Sequence, residues 1–244
     1  TEVILNLYLE YGLEGMLERI NGMFAIAIYD QRIRTFFLIR DRYGIKPLYV
    51  LNNKDYLAFS SEMKSFKELP GFSFQFDTSN FSEFLLFRNL INRTLFKNIE
   101  NVEPGTYWAI DLENNIKKIK YYDVNEEGCN ESSIPDQREY LENSLYSAVK
   151  RQMIADVKLG CQLSGGVDSS LVTYFANEIV PENSLETISI IPSEKGFSEE
   201  EYIDVVIEQL SLVSHKYSLD STYYFDNIDK ATWHFEHPLN HPNT

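Results

Sequence analysis

Residues 157–180 constrain this chain more than any other stretch. An apolar run, Val157–Leu163, leads into Ser164-Gly165-Gly166-Val167-Asp168-Ser169-Ser170, and a run with helical spacing, Ser170–Val180, follows. A buried strand, a glycine turn and a helix in that order predict one βα unit, with the loop at the carboxyl end of the strand. Adjacent glycines let backbone approach an anion closely, and the free N–H groups of a helix N-terminus bind it. Three hydroxyls can add donors, and Asp168 offers the hard oxygen that suits Mg²⁺. The pattern predicts a pyrophosphate loop. It is not a Walker loop, because no Gly-Lys-Ser/Thr follows the glycines. Without that lysine at the β- and γ-phosphates, the natural reaction is attack at the α-phosphate with pyrophosphate leaving, which is adenylation. The bland alternative is a glycine turn with solvated hydroxyls.

The segments downstream continue the alternation. Leu185–Ile191 reads as a strand, Glu199–Leu212 as a helix and Ser214–Ser218 as a strand, so a parallel sheet is expected. Arg138–Met153 has apolar residues at three- and four-residue steps and reads as an amphipathic helix before the first strand. The first half punctuates differently. Val3–Tyr11 and Leu13–Ile20 have helical spacing broken by Gly12. Met23–Tyr29 and Thr35–Arg40 predict a hairpin. Further strands are expected at Leu48–Leu51, Tyr56–Ser60 and Gly105–Ile110. Phe81–Asn89 predicts a short helix, with Asn80 as N-cap and Glu83 completing a capping box. Glu62-Met63-Lys64 reads as the start of a helix. Val124–Gln137, rich in polar residues and carrying Pro135, predicts a linker. The organisation expected is therefore 1–123, a linker at 124–137, and 138–244.

Charge divides along the same line. Residues 1–123 hold 15 Lys+Arg against 16 Asp+Glu, whereas 124–244 hold 7 against 21. The half with the loop lacks the basic footprint of a nucleic-acid binder. No run approaches the roughly 18 apolar residues of a membrane span, and no signal-peptide pattern opens the chain. Cys129 and Cys161 have no metal-ligand spacing and read as free thiols of a reducing, cytoplasmic compartment.

Four upstream motifs carry a resemblance. Thr1-Glu2-Val3-Ile4-Leu5, Asn21-Gly22-Met23-Phe24-Ala25, Arg40-Asp41-Arg42-Tyr43-Gly44-Ile45-Lys46-Pro47-Leu48-Tyr49 and Phe59-Ser60-Ser61-Glu62-Met63-Lys64 precede the loop in order. Together with it, they resemble the glutamine-hydrolysing asparagine synthetases, whose loop is that of the N-type ATP pyrophosphatases. The resemblance implies an α+β glutaminase sandwich followed by an α/β parallel-sheet ATP pyrophosphatase domain, both incomplete. It implies ATP and Mg²⁺ as cofactors, ATP, aspartate and glutamine as small-molecule partners, and asparagine formation through a β-aspartyl-adenylate. A homodimer is also expected, with no nucleic-acid or membrane partner.

The residues implied for ATP and pyrophosphate are Gln162, Leu163, Ser164, Gly165, Gly166, Asp168, Ser169, Ser170 and Ile190, with Asp168 on Mg²⁺. Gln162 and Ile190 match positions that touch adenosine from strand ends. The family's cysteine nucleophile and its later catalytic Glu and Lys have no counterpart here, so the chain is expected to be an internal fragment that hydrolyses no glutamine alone. Arg40-Asp41-Arg42 is expected to be structural. Met63 and Glu199 have ordinary helix roles as alternatives to their family ones, namely packing and stabilising the positive helix end. His215 reads as a hydrogen-bonded structural histidine. Phe235-Glu236-His237-Pro238 stands where many members have Phe-Asp-Glu-Pro, and His237 in place of an acid raises a rival reading, an amidotransferase acting on another carboxylate. A non-catalytic nucleotide-binding module is a third. His234, His237 and His241 are spaced like metal ligands, but Pro238 and Pro242 break the helix such spacing needs.

Overall fold

Gly12 breaks the first apolar stretch without ending it. In the computed structural model of the chain, which describes residues 2–54, 56–90, 92–124, 133–181, 184–193 and 198–239, helix α1 (Glu2–Arg19) kinks at Gly12, with φ 70° and ψ −174°. That backbone region is open essentially to glycine alone. The kink lets Tyr8 on one side and Met16 and Leu17 on the other bury against the same core, with Phe37, Ile39 and Tyr107.

Contacts divide the chain into two compact units, Thr1–Glu127 with His234–Asn240 and Gly128–Trp233 with His241–Thr244. In the first unit, β1 (Ala25–Asp30) and β2 (Thr35–Arg40) form the hairpin. Next come β3 (Tyr49–Asn52), β4 (Leu57–Ser60), a 3₁₀ turn at Met63–Glu68 and helix α2 (Phe81–Phe87). Three more strands follow: β5 (Ile99–Asn101), β6 (Thr106–Asp111) and β7 (Ile116–Lys120). They pair antiparallel as two sheets, β1-β2-β6-β7 and β4-β3-β5. Leu38, Trp108 and Ile110 of the first sheet share one buried cluster with Val50 of the second and with Leu48 and Val102. The sequence reading omits β5 and β7. Lys117, Lys118 and Lys120 make β7 look polar, but Ile116 packs against the Leu38–Trp108 cluster on one face and Ile119 against the Phe37–Tyr107 cluster on the other.

Asn80 does not cap α2. Its backbone is helical and its side chain makes no cap bond. It is buried instead, giving Nδ2–H to the Thr94 carbonyl at 3.0 Å and accepting from Arg93. Glu83, the other half of the expected capping box, pairs with Arg93. Tertiary partners for both side chains displace a local motif.

Arg40 and Asp41 hold the turn after β2. The Arg40 guanidinium donates to the carbonyls of Gly44, Lys46 and Val102 and to Asn101 Oδ1, at 2.6–2.9 Å. Asp41, 1% exposed, accepts the N–H groups of Phe24, Tyr43, Ile45 and Lys46 at 2.9–3.3 Å. The structural expectation for this pair agrees with those contacts.

In the second unit, helix α3 (Ile134–Gln152) begins four residues before Arg138, inside the segment expected to be linker. Pro135 is a first-turn proline, which a helix tolerates, and the Ser133 hydroxyl accepts the Asp136 N–H. The remainder of that linker, with Cys129, lies outside the described residues. Next are β8 (Gly160–Gln162), α4 (Val167–Ile179), β9 (Glu186–Pro192), α5 (Glu200–Leu210), β10 (Val213–Leu219) and α6 (Ser221–Phe235). Strands β8, β9 and β10 pair in parallel, in chain order. Val149 of α3, Phe175 and Ala176 of α4, and Leu185 and Leu212 bury one core, against which Val206 and Leu210 of α5 pack. Strand β8 is shorter than the apolar run predicts, and α4 starts three residues earlier, inside the glycine loop. Helix α6 is absent from the sequence reading.

Burial alone would raise the Asp41 carboxyl, but the amides of Lys46, Ile45, Phe24 and Tyr43 outweigh it and leave it below its ordinary value. A depressed folded value means that the stabilisation is complete above the unfolded value of about 3.9 and fades as pH falls through the folded one. Asp41→Ala, which strands four amides, is expected to cost roughly 3–5 kcal/mol. Circular dichroism melts should show the wild-type transition falling below about pH 4, with a shallower fall in Asp41→Asn.

Candidate functional site: the loop at the start of helix α4

Strand β8 ends at Gln162, and after four intervening residues α4 begins at Val167. Gly166 is its N-cap, in extended conformation and with no side chain to cap the turn. The first N–H groups of any helix lack intrahelical acceptors, so those of Val167, Asp168 and Ser169 are uncapped by any side chain and carry the positive end of the helix dipole. The carboxylate of Asp168 lies in that same first turn and is exposed.

The hydroxyls organise the loop internally. Ser164 N–H donates to Ser169 Oγ at 3.2 Å, and the two hydroxyl oxygens are 3.0 Å apart. Ser169 Oγ and Ser170 Oγ both donate to the Gly166 carbonyl, at 3.1 and 2.8 Å. Three serines thus stand around a bare helix start, with Ser164 open to solvent.

Gly165 is the residue that makes the loop compact. Its φ is +89°, and a Cβ placed on it would lie 2.9 Å from the Glu199 carbonyl oxygen, 3.0 Å from Glu199 Cβ and 3.2 Å from Ile203 Cγ1. The loop therefore rests on the first turn of α5. The Glu199 carbonyl is itself fixed there, accepting the N–H groups of Tyr202 and Ile203 at 3.0 and 3.2 Å.

Leu163 is fully buried at the loop entrance. Gln162 pairs with Ile188 in the β8–β9 register. Ile190, 43% exposed, lies two residues further along β9, on the same face as Ile188 because strand side chains alternate. Sequence-predicted positions Gln162 to Ser170 are thus contiguous at one strand–helix junction, with Ile190 toward the carboxyl end of the adjacent strand. Sequence reasoning misses Ser189, whose hydroxyl donates to the Leu163 carbonyl at 2.7 Å. Its only sequence signal is a polar residue between Ile188 and Ile190.

Other singled-out residues have local partners. His215 Nε2 lies 3.2 Å from Glu186 Oε2, on the exposed part of the sheet. Beside His215 and Lys158, the Glu186 carboxyl is held below its usual range. Cys161 is half-buried, and burial pushes its thiol up, away from the reactive thiolate form. Within the first unit, the Glu236 carboxylate accepts the N–H groups of Met63 and Lys64 at 2.7 and 2.5 Å, and the His237 ring lies against Phe84 and Phe235. His241 lies outside the described residues. Among the described residues, no group of three or more His, Cys, Asp or Glu side chains could hold a metal ion, and no helix is long and apolar enough to cross a membrane.

The chain matches known proteins along most of its length. Residues 1–122 match the glutamine amidotransferase domain family, and residues 140–243 match the asparagine synthase family. Asparagine synthetase [glutamine-hydrolyzing] 1 of Bacillus subtilis is 30% identical over 243 residues, which is 99% of this chain and 38% of that protein. Asparagine synthetase [glutamine-hydrolyzing] 2 of the same organism is 34% identical over 229 residues, 88% of this chain and 30% of that protein. A putative asparagine synthetase of Methanocaldococcus jannaschii is 31% identical over 246 residues, 98% of this chain and 47% of that protein. The chain spans less than half the length of each of these relatives. Two domain families matched in tandem, the second containing the loop at Ser164–Ser170, show that the chain belongs to the glutamine-hydrolysing asparagine synthetase family.

Proposed function

We propose that this chain is part of an enzyme that amidates aspartate to asparagine, drawing ammonia from glutamine and driving the reaction with ATP. The side-chain carboxylate of aspartate attacks the α-phosphate of ATP, pyrophosphate leaves, and ammonia opens the β-aspartyl-adenylate with release of AMP. The observation that carries this reading is the uncapped first turn of α4, ringed by Ser164, Ser169 and Ser170 and approached by a positive-φ glycine. Such a start binds a pyrophosphate through N–H groups and hydroxyls, and it binds the leaving group rather than the reacting carboxylate. Catalysis of this kind rests on positioning and charge stabilisation.

The donor set fits Mg²⁺. A single exposed carboxylate, Asp168, stands beside the loop, and Mg²⁺ is ordinarily held by one or two carboxylates together with substrate phosphates and water rather than by a full protein cage. When bound, Mg²⁺ neutralises charge on the phosphates. Gln162, Leu163 and Ile190 are proposed to flank the adenosine. In the same reading, residues 1–123 form the incomplete α+β glutaminase sandwich and 138–244 the incomplete α/β ATP pyrophosphatase domain. Residues 124–137 are proposed as the linker between them. A cytoplasmic setting and a homodimer belong to the proposal as well.

His237 supports a second reading for the acceptor only, since it replaces the acid found there in many members. Incubating the longer protein with ATP, glutamine and a panel of carboxylic acids distinguishes the two. Aspartate is expected to yield asparagine and AMP in equal amounts, and turnover with another acid but not aspartate would overturn the first reading.

Calorimetry with Mg-ATP tests the loop. Asp168→Ala is expected to weaken Mg-ATP binding about tenfold or more, the worth of one charge-assisted contact, and unchanged binding would make the loop a fold element only. Gly165→Ala should lose Mg-ATP binding at least as strongly, because its Cβ has no room against Glu199.

A further inference from the structure

Strand β8 loses its backbone partner one residue before the loop. The Leu163 N–H still donates to the Ile188 carbonyl at 3.0 Å, but the Leu163 carbonyl accepts from a side chain, Ser189 Oγ at 2.7 Å. Both residues are 0% exposed. A buried carbonyl without a donor carries its full desolvation cost, so no water can cheaply take the place of this hydroxyl.

Ser189 is oddly placed for a polar residue. Strand β9 turns Thr187 and Ser189 inward, both fully buried, and Ile188 and Ile190 outward, 48% and 43% exposed. That is the reverse of the usual pattern for a half-covered strand. The Thr187 hydroxyl has no hydrogen-bond partner among the described residues. The Ser189 hydroxyl has one, and it is the last carbonyl before Ser164. On its far side the loop is stopped by Glu199 and Ile203, which leave no room at Gly165.

We infer that Ser189 is a positioning residue of the pyrophosphate loop, acting through the Leu163 carbonyl to fix the direction in which the chain enters Ser164. The inference rests on the nucleotide reading above. Ser189 contacts no phosphate. Without its hydroxyl, the buried carbonyl finds a donor most easily by turning the Leu163–Ser164 peptide toward solvent, where Ser164 already lies. That turn carries the Ser164 N–H away from Ser169 Oγ, now 3.2 Å distant, and spoils the spacing of N–H groups and hydroxyls. Phosphates beyond the α position feel the change; an adenosine monophosphate does not.

The test is calorimetry on wild type, Ser189→Ala and Ser189→Thr with three probes, Mg-ATP, Mg-pyrophosphate and AMP, together with amide hydrogen exchange on the free proteins. Ser189→Ala is expected to weaken Mg-ATP and Mg-pyrophosphate about tenfold, the effect of stranding one buried carbonyl, and to leave AMP within about twofold. Ser189→Thr, which keeps the hydroxyl, should return both to within about threefold. Exchange should quicken across Ser164–Ser170 in Ser189→Ala and stay unchanged in α3 and β10. Wild-type affinity for Mg-ATP and Mg-pyrophosphate in Ser189→Ala overturns the inference, as does an equal loss of all three probes without rescue by Thr. Wild type that binds neither Mg-ATP nor Mg-pyrophosphate overturns the nucleotide reading instead, and loop exchange then decides alone whether Ser189 holds the loop. Where Ser189→Ala does not fold, Ser189→Cys, a weaker donor of similar size, takes its place. A loss of about threefold to tenfold in both phosphate probes supports the inference, and wild-type affinity overturns it.

Discussion

The carbonyl of Leu163 has to be satisfied where the sheet can no longer do it. A parallel ladder supplies acceptors and donors only while both strands run together, and β8 leaves after three residues. From that point the backbone turns into a helix within four residues. The geometry of the second unit follows from how this exit is managed: Ser189 beneath the strand end, Gly165 pressed on α5, Gly166 as a bare cap for α4. A Cβ at Gly165 would force the turn to stand off from α5, whereas one at Gly166 would meet only Ser164 Oγ, at 3.6 Å, an ordinary contact. The same features that let the chain leave the sheet also leave the first turn of α4 uncapped by a side chain.

The first unit solves a comparable problem with charge. After β2 the chain turns through Asp41–Lys46, and its buried amides and carbonyls need partners that no strand provides. Asp41 collects four N–H groups and Arg40 collects three carbonyls. Each side chain is worth burying because it satisfies several groups at once. A run of alternating charge beside a hairpin is therefore the turn's own scaffold, and a catalytic role is not needed to explain it.

Element types along the chain were mostly readable from hydrophobic period, since period reports which faces are covered. The errors occur where a residue's signal has two readings. Pro135 was read as a breaker because proline ends helices from within, yet it sits in the first turn of α3, where its missing N–H costs nothing. Asn80 and Glu83 had the spacing of a capping box, yet Arg93 and Thr94 hold them. Strand β7 is hidden because three of its five residues are lysine and each face carries a single isoleucine, Ile116 on one and Ile119 on the other. In the site, the loop residues were visible as a motif, and Ser189 was not. A serine between two isoleucines carries no mark of what lies beneath it.

By itself, the sequence determined most of the helices and strands and the glycine and hydroxyl content of the loop, because hydrophobic period and residue type act over a few residues. Family membership was legible for the same reason, in motifs that are each local. Tertiary structure alone decided which strand supports the loop, which helix confines it and which buried hydroxyl holds its entrance. Those depend on residues 26 to 38 positions apart along the chain, Leu163 with Ser189 and Gly165 with Glu199 and Ile203. No local pattern specifies such pairings, since they arise only when β8 and β9 pair in register and α5 packs beside them.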